Sequence, residues 1–217
     1  MTETVTDIKL GRGERLMELF AKGVSLLTHP LMAGVWMTLL VMYGYASPLK
    51  FPHSIRSFVI GNLLITTVAI PLLFRMLLRL FGVFRRDSSG GRRVRVLSLL
   101  IDALCFASCG WMFASVPLLF LVRKMLYLCA IATLVVIAFE FFRPLSHHLT
   151  IYGILLGYMW VLLFVGNMSL LYPFIAGVLV AGLLITSRLY LTPRAPRALY
   201  GSLALGLLIA IVGAVLV

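Results

Sequence analysis

The sequence predicts an all-α, polytopic membrane helix bundle, and three properties of the chain support this fold class. Of the 217 residues, 62% are hydrophobic and only 12% are charged, whereas a soluble domain carries about twice that charged share. Mean hydropathy is +1.08. The apolar residues form runs of about 17 to 25 residues, the length at which a helix crosses about 30 Å of hydrocarbon. These properties exclude an ordinary soluble domain, a disordered chain and a disulfide scaffold.

Hydropathy predicts six or seven transmembrane spans in a single membrane domain, residues 1–217, which begins with a polar, partly amphipathic lead, residues 1–28. The lead lacks the features of a cleavable signal peptide. Pro117 separates the third span from the fourth because proline disfavours helix in the residue before it. Pro71 falls inside the second span, where a bilayer helix can absorb it as a kink. The predicted spans cover about 31–47, 57–81, 96–116, 118–141, 149–166, 170–190 and 199–217.

The basic residues are distributed unevenly between the two predicted sides of the membrane. A net charge of +12 would suggest a nucleic-acid partner in a soluble protein, but no aromatic-rich RNA-binding signature accompanies it, and we expect no such partner. Fifteen of the 19 Lys and Arg residues fall on the side that holds the N-terminus. Cytoplasmic loops carry this kind of excess, which predicts a multi-pass protein with its N-terminus in the cytoplasm.

Three polar groups return to this basic side, because two predicted helices separate each group from the next. They are the arginines Arg86, Arg92, Arg93 and Arg95 before the third span, Ser146-His147-His148 at the start of the fifth span, and residues 187–197 after the sixth span. A guanidinium fork binds phosphate oxygens bidentately, and an imidazole can protonate a leaving oxygen near neutral pH. The pattern therefore predicts a site for a phosphate monoester on this side.

Two carboxylates fall inside predicted spans, where they are costly and usually paired or functional. Asp102 lies seven residues after Arg95, so it could orient Arg95 or His148, or it could relay protons. Glu140 has Arg143 three residues later, which predicts a local ion pair.

Small residues within the spans are interpreted as packing residues. The three cysteines, Cys105, Cys109 and Cys129, form no Cys-x-x-Cys pair and have no histidine nearby, so we expect no metal site and no cofactor. Gly153 and Gly157 are four residues apart, a spacing that predicts close helix packing.

The motifs, in chain order, resemble those of a known membrane family. They are His29-Pro30-Leu31-Met32, the stretch from Ser146 to Gly153, Arg188-Leu189-Tyr190-Leu191 and Leu199-Tyr200-Gly201. This layout is similar to the type 2 phosphatidic acid phosphatase superfamily of membrane lipid phosphatases, and most similar to a divergent bacterial branch of it. The likeness covers nearly the whole chain. It implies a phosphatidic acid phosphatase-like fold in a bacterial inner (cytoplasmic) membrane.

The resemblance also implies roles for individual residues. Arg188 matches the arginine that holds the phosphate, and His148 matches the histidine that acts as general acid on the leaving lipid alcohol. Arg86 and Arg93 have the Lys-to-Arg spacing of the first family motif, in which Arg95 is an alternative partner.

In the third family motif, counted from Ser187-Arg188, the chain departs from the family at two positions. Arg194 stands where the family has its nucleophilic histidine, and Ala198 stands where it has the aspartate that orients the nucleophile. An arginine stays protonated and cannot form a phosphohistidine, but it can bind phosphate. His29 or His147 could act as a substitute nucleophile.

We therefore expect a lipid phosphatase-like integral membrane protein that binds a phosphorylated lipid headgroup, with membrane lipids as its partners, and that is catalytically impaired. The alternatives are an active lipid phosphate or pyrophosphate phosphatase with a substituted nucleophile, an anionic-lipid transporter with Asp102 and Glu140 as proton-coupled groups, and a structural subunit with a vestigial site.

Overall fold

The structure of the protein, a computed structural model, describes residues 23, 29–43, 53–80, 90–142, 145–165, 170–191 and 196–216. Apart from Gly23, the predicted N-terminal lead lies outside the described residues, and so do Arg86, Arg143 and Arg194.

Helices account for nearly all of the described chain, and no β-strand occurs in it, which confirms the predicted all-α class. A 3-10 turn, Pro30–Met32, leads into α1, Ala33–Tyr43. Helix α2 comprises His53–Leu64, a π-helical turn at Ile65–Ala69, and Ile70–Leu80. The remaining helices are α3, Gly90–Met112; α4, Phe120–Phe139; α5, His147–Phe164; α6, Leu171–Leu191; and α7, Pro196–Leu216.

Within the described ranges, six helices are long and apolar enough to cross a membrane, namely α2 to α7. The chain is therefore a multi-pass integral membrane protein. Helix α1 is shorter, because its 11 residues extend over only about 16 Å, roughly half of the hydrocarbon thickness. Of the predicted first span, 31–47, the structure describes residues 31–43.

Helix α2 accommodates Pro71 by a local change of helical geometry. Proline has no N–H to donate to the carbonyl four residues earlier, which is that of Thr67. The π-helical turn Ile65–Ala69 lies just before the proline, and the Thr67 hydroxyl donates to the carbonyl oxygen of Leu63 at 2.8 Å. Adjustments of this kind allow a bilayer helix to continue through a proline. The continued helix brings Arg75 against α3.

Helix α5 lies at the centre of the bundle and contacts α1, α4, α6 and α7. Its contact with α7 is the most extensive, because glycines let the two backbones approach closely. A Cβ on Gly153 would overlap the carbonyl oxygen of Leu203, and a Cβ on Gly206 would overlap that of Thr150. A Cβ on Gly157 would also meet α7. The predicted close packing at Gly153 and Gly157 is therefore confirmed, and the three cysteines are free and buried, as expected for packing residues.

Contacts between helix ends bring polar side chains together at one end of the bundle. His29, just before α1, contacts His148 in the first turn of α5, and Arg95 near the start of α3 contacts Glu140 after α4. Arg188 lies in the last turn of α6. We call this the basic end. Its assignment to the cytoplasmic side stays a prediction from the charge distribution.

Candidate functional site

Two histidines from different helices meet at the basic end. The ring centroids of His29 and His148 lie 5.2 Å apart in an edge-to-face arrangement. Both side chains are partly exposed. His29 Nδ1 accepts a long hydrogen bond, 3.4 Å, from the backbone N–H of Leu31, so the neutral ring carries its proton on Nε2. We call His29 and His148 the histidine pair.

Two arginines flank the histidine pair. Arg188 on α6 and Arg75 on α2 both lie within electrostatic range of His29 and of His148. Burial of the His29 ring, helped by the positive charges of these arginines, lowers the pKa of His29 from 6.5 to about 4. His29 is therefore neutral at pH 7 and presents Nε2–H, which is a hydrogen-bond donor suited to an anion. The histidine pair, Arg75 and Arg188 form the group that we call the His–Arg cluster.

Asp102 holds Arg75 in place. Arg75 Nη2 and Asp102 Oδ2 form an ion pair, in which the Asp102 side chain is fully buried and the Arg75 side chain is 25% exposed. Among the described residues, the second oxygen of Asp102 has no hydrogen-bond partner. Of the orienting roles left open for Asp102, the structure supports neither Arg95 nor His148 as the partner. Asp102 instead faces α2, which packs against α3 at this depth. The spacing of residues along α3 does not show which neighbouring helix the Asp102 side chain faces.

The second intramembrane carboxylate also pairs with an arginine from another helix. Arg95 Nη1 lies 3.0 Å from Glu140 Oε1, and Arg95 Nη2 donates to the carbonyl oxygen of Leu145 at 3.2 Å. Glu140 was predicted to pair with Arg143, which lies outside the described residues. Arg95 was predicted to bind phosphate, but here it joins α3 to the α4–α5 connection, so a phosphate would have to compete with Glu140 for it.

His147 belongs to the interface between α4 and α5. Its Nε2 lies 3.2 Å from Thr133 Oγ1, and the Thr133 hydroxyl proton goes to the carbonyl oxygen of Cys129 at 2.7 Å. Because a hydroxyl has only one proton, His147 must be the donor in its contact with Thr133. The side chain of His147 is buried, and its Nε2 is engaged with Thr133. This geometry does not support the hypothesis that His147 replaces the nucleophile.

The structure also reveals a serine that sequence reasoning missed. The backbone N–H of Ser146, at the start of α5, donates to Ser202 Oγ at 2.9 Å, and Ser202 Oγ donates to the carbonyl oxygen of Ala198 at 2.6 Å. Ser202 thus satisfies a backbone donor at the start of α5, which otherwise has no partner within its own helix. Its only sequence signal is a polar residue nearly two turns into an apolar helix.

Apart from His147, the predicted site residues divide into four groups. The structure brings His29, His148 and Arg188 together, and it leaves Arg93 exposed on the first turn of α3. It commits Arg95, Asp102 and Glu140 to ion pairs. It does not describe Arg86 or Arg194.

The chain matches no protein-family model, no curated protein and no solved structure.

Proposed function

We propose that this protein binds the headgroup of a phosphorylated lipid at the basic end and turns it over slowly or not at all. The observation that carries the proposal is the convergence of His29, which precedes α1, with His148 on α5 and Arg188 on α6. All three lie where the membrane-crossing helices end, which is the depth of a lipid headgroup.

The three side chains have complementary chemistry for a phosphate. The planar guanidinium of Arg188 can engage two oxygens, and the protonated Nε2 of His29 can donate to a third. The ring of His148 lies close enough to His29 to reach the same group. Arg75 adds positive charge to this field, although Asp102 partly balances it.

The position of the His29 proton favours binding over hydrolysis. A nucleophilic imidazole needs a nitrogen lone pair aimed at phosphorus. In His29 the lone pair of Nδ1 accepts the backbone N–H of Leu31, and Nε2 carries the proton. Arg194 stands at the position of the family's nucleophile. Hydrogen-bond donors that bind the ground state and the transition state equally tightly would not accelerate hydrolysis.

A second candidate function is hydrolysis with His29 as the nucleophile and His148 as the general acid. The observation that favours it is a neutral His29 whose ring centroid lies 5.2 Å from that of His148. This function requires His29 to move its proton from Nε2 to Nδ1 and to give up its contact with Leu31.

Binding and phosphate release from phosphatidic acid in phosphatidylcholine vesicles test the proposal. The purified wild type should bind phosphatidic acid saturably and release little inorganic phosphate. Arg188→Ala should weaken binding by about 10- to 100-fold, the effect of losing a charge-assisted hydrogen-bonding group. The matched control is Arg123→Ala, because Arg123 lies near the start of α4, at the end of the bundle opposite the His–Arg cluster.

Two results would contradict the proposal. Equal binding by the wild type and Arg188→Ala would show that the cluster does not hold the phosphate. Rapid phosphate release that His29→Ala abolishes would instead establish the second candidate function.

A further inference from the structure

An apolar cavity of about 450 Å³ lies between α1, α5 and α6. Its volume falls within the range of sites that hold small ligands, about 300 to 1,000 Å³. The three helices that form it are those that carry His29, His148 and Arg188 at or beside their ends. The cavity and these three members of the His–Arg cluster therefore lie on the same three helices.

The cavity begins just below the cluster and extends toward the middle of the membrane. On α5, Tyr152 at its upper edge is four residues, or about 6 Å, past His148. On α6, its lining residues run from Leu183 to Pro173, which is about 15 Å of helix. Half of a hydrocarbon core of about 30 Å is the same length. The cavity thus matches the depth that a hydrocarbon chain occupies in one leaflet.

The walls of the cavity suit hydrocarbon and open toward the lipid. Met159 forms part of a buried floor, whereas Trp36 and Leu183 at the edges are 39% and 45% exposed. The hydroxyl of Tyr152, a polar group in the lining, donates to the carbonyl oxygen of Gly177 at 3.3 Å. Because the Tyr152 hydroxyl already has a hydrogen-bond partner, a hydrocarbon chain in the cavity would not leave it buried and unpaired.

We infer that this cavity holds one hydrocarbon chain of the lipid whose phosphate is bound by the His–Arg cluster. The inference rests on the proposed function and specifies its ligand as a phosphorylated lipid rather than free phosphate or a water-soluble phosphate ester. A second cavity, of about 490 Å³, lies between α5, α6 and α7. It lacks a wall from α1, the helix that follows His29, so it does not continue from both members of the histidine pair.

Photo-crosslinking tests the inference on the purified full-length protein. The probe is a phosphatidic acid that carries a diazirine in the middle of one acyl chain, presented in phosphatidylcholine vesicles. Irradiation should attach the probe to the α1–α5–α6 cavity, at Leu155, Met159 or Val180, and unlabelled phosphatidic acid should displace it. A phosphatidylcholine with the same diazirine chain should label these residues about tenfold less, because it lacks the phosphate monoester.

A matched pair of variants tests the cavity itself. Ala176→Phe fills the cavity and should reduce labelling there about tenfold. Ala204→Phe makes the same change at an exposed position on α7 that does not line the cavity, and labelling should be unchanged. Both alanines are exposed, so neither change disturbs the core. The wild-type labelling map tests the inference without relying on either variant.

The outcomes separate the chain site from the headgroup site. Binding of phosphatidic acid that requires Arg188, with labels confined to Leu207 or Ile211 of the neighbouring cavity, would overturn the chain site and leave the proposed function intact. Labelling of the α1–α5–α6 cavity to the same extent by the phosphatidylcholine probe would also overturn it. Absence of saturable phosphatidic acid binding, together with absence of displaceable labelling anywhere in the chain, would contradict the proposed function itself.

Discussion

The ion pair between Arg75 and Asp102 fixes a positive charge beside the histidine pair, inside the membrane-crossing part of α2 and α3. The carboxylate is fully buried and the guanidinium is partly exposed, so the two partners differ in what their loss should cost. Removing the arginine leaves a buried carboxylate without its charge partner, whereas removing the carboxylate leaves an arginine that can still reach water.

We therefore predict that Arg75→Met destabilises the protein by roughly 3 to 5 kcal/mol and Asp102→Leu by less. The double variant should recover most of the loss caused by Arg75→Met, because no uncompensated charge remains. Thermal unfolding in detergent micelles measures all three. If the effects of the two single variants simply add, the two side chains do not interact and the assigned pair is wrong.

His29 should make stability depend on pH. Its pKa is about 4 in the folded protein and 6.5 as an ordinary value, so the unfolded chain binds a proton first as the pH falls. The contribution of the neutral His29 ring to stability is then fully present above pH 6.5 and is lost progressively between about pH 6.5 and 4. The charged groups and the neighbouring ring that face His29 are Arg75, Arg188 and His148.

His29→Asn isolates this effect, because asparagine can still accept the backbone N–H at the start of a helical turn but does not titrate. The slope of melting temperature against pH between about 6.5 and 4 should be smaller in the variant than in the wild type. Identical slopes would mean that His29 does not contribute to the acid sensitivity.

At the scale of helices, the contact between α5 and α7 depends on glycine. A Cβ on Gly206 would overlap the carbonyl oxygen of Thr150, whereas a Cβ on Gly201 of the same helix would meet nothing within 4 Å. This difference lets one substitution be compared at a tight position and an open one.

We predict that Gly206→Ala lowers stability by about 1 to 3 kcal/mol, because the helices must separate. Gly201→Ala should be neutral or slightly stabilising, since alanine favours helix over glycine. Unfolding of both variants in detergent micelles provides the comparison. Equal stability of the two would contradict the close backbone contact at Gly206.

The helices show which structural features hydropathy can predict. A long apolar run predicts that a helix exists, since every backbone group must be satisfied inside the membrane, and the spacing of Gly153 and Gly157 predicts a close contact. The π-helical turn before Pro71 could not be predicted, because a proline in a bilayer helix can be absorbed in several ways. The sequence of α5 alone does not show that its partner in the close contact at Gly153 and Gly157 is α7.

The residues of the candidate site likewise divide into those that could be predicted from the sequence and those that could not. His148 and Arg188 could be placed at one end from alternation of spans and from motifs, and His29 could be placed with them. Arg75 lies within the predicted second span and is one of the fifteen basic-side residues, and an arginine within a span signals an ion pair inside the membrane. Its partner Asp102 lies 27 residues away on another helix, and only tertiary packing brings the two together.

At the scale of the whole molecule, the bundle combines a polar cluster at one end with an apolar cavity beneath it. Residues of α1, α5 and α6 contribute to both features, and α7 packs against α5 through the glycine contact. In the proposed function this arrangement complements an anionic lipid, which has a charged group at the interface and hydrocarbon below.

Native mass spectrometry of the purified protein tests the central claim, lipid binding through Arg188, most directly. The wild type should retain a lipid with a phosphate monoester or pyrophosphate, Arg123→Ala should retain the same lipid, and Arg188→Ala should lose it while remaining folded. A wild type that carries no such lipid even after phosphatidic acid is added, or an Arg188→Ala variant that keeps the lipid in full, would contradict the claim.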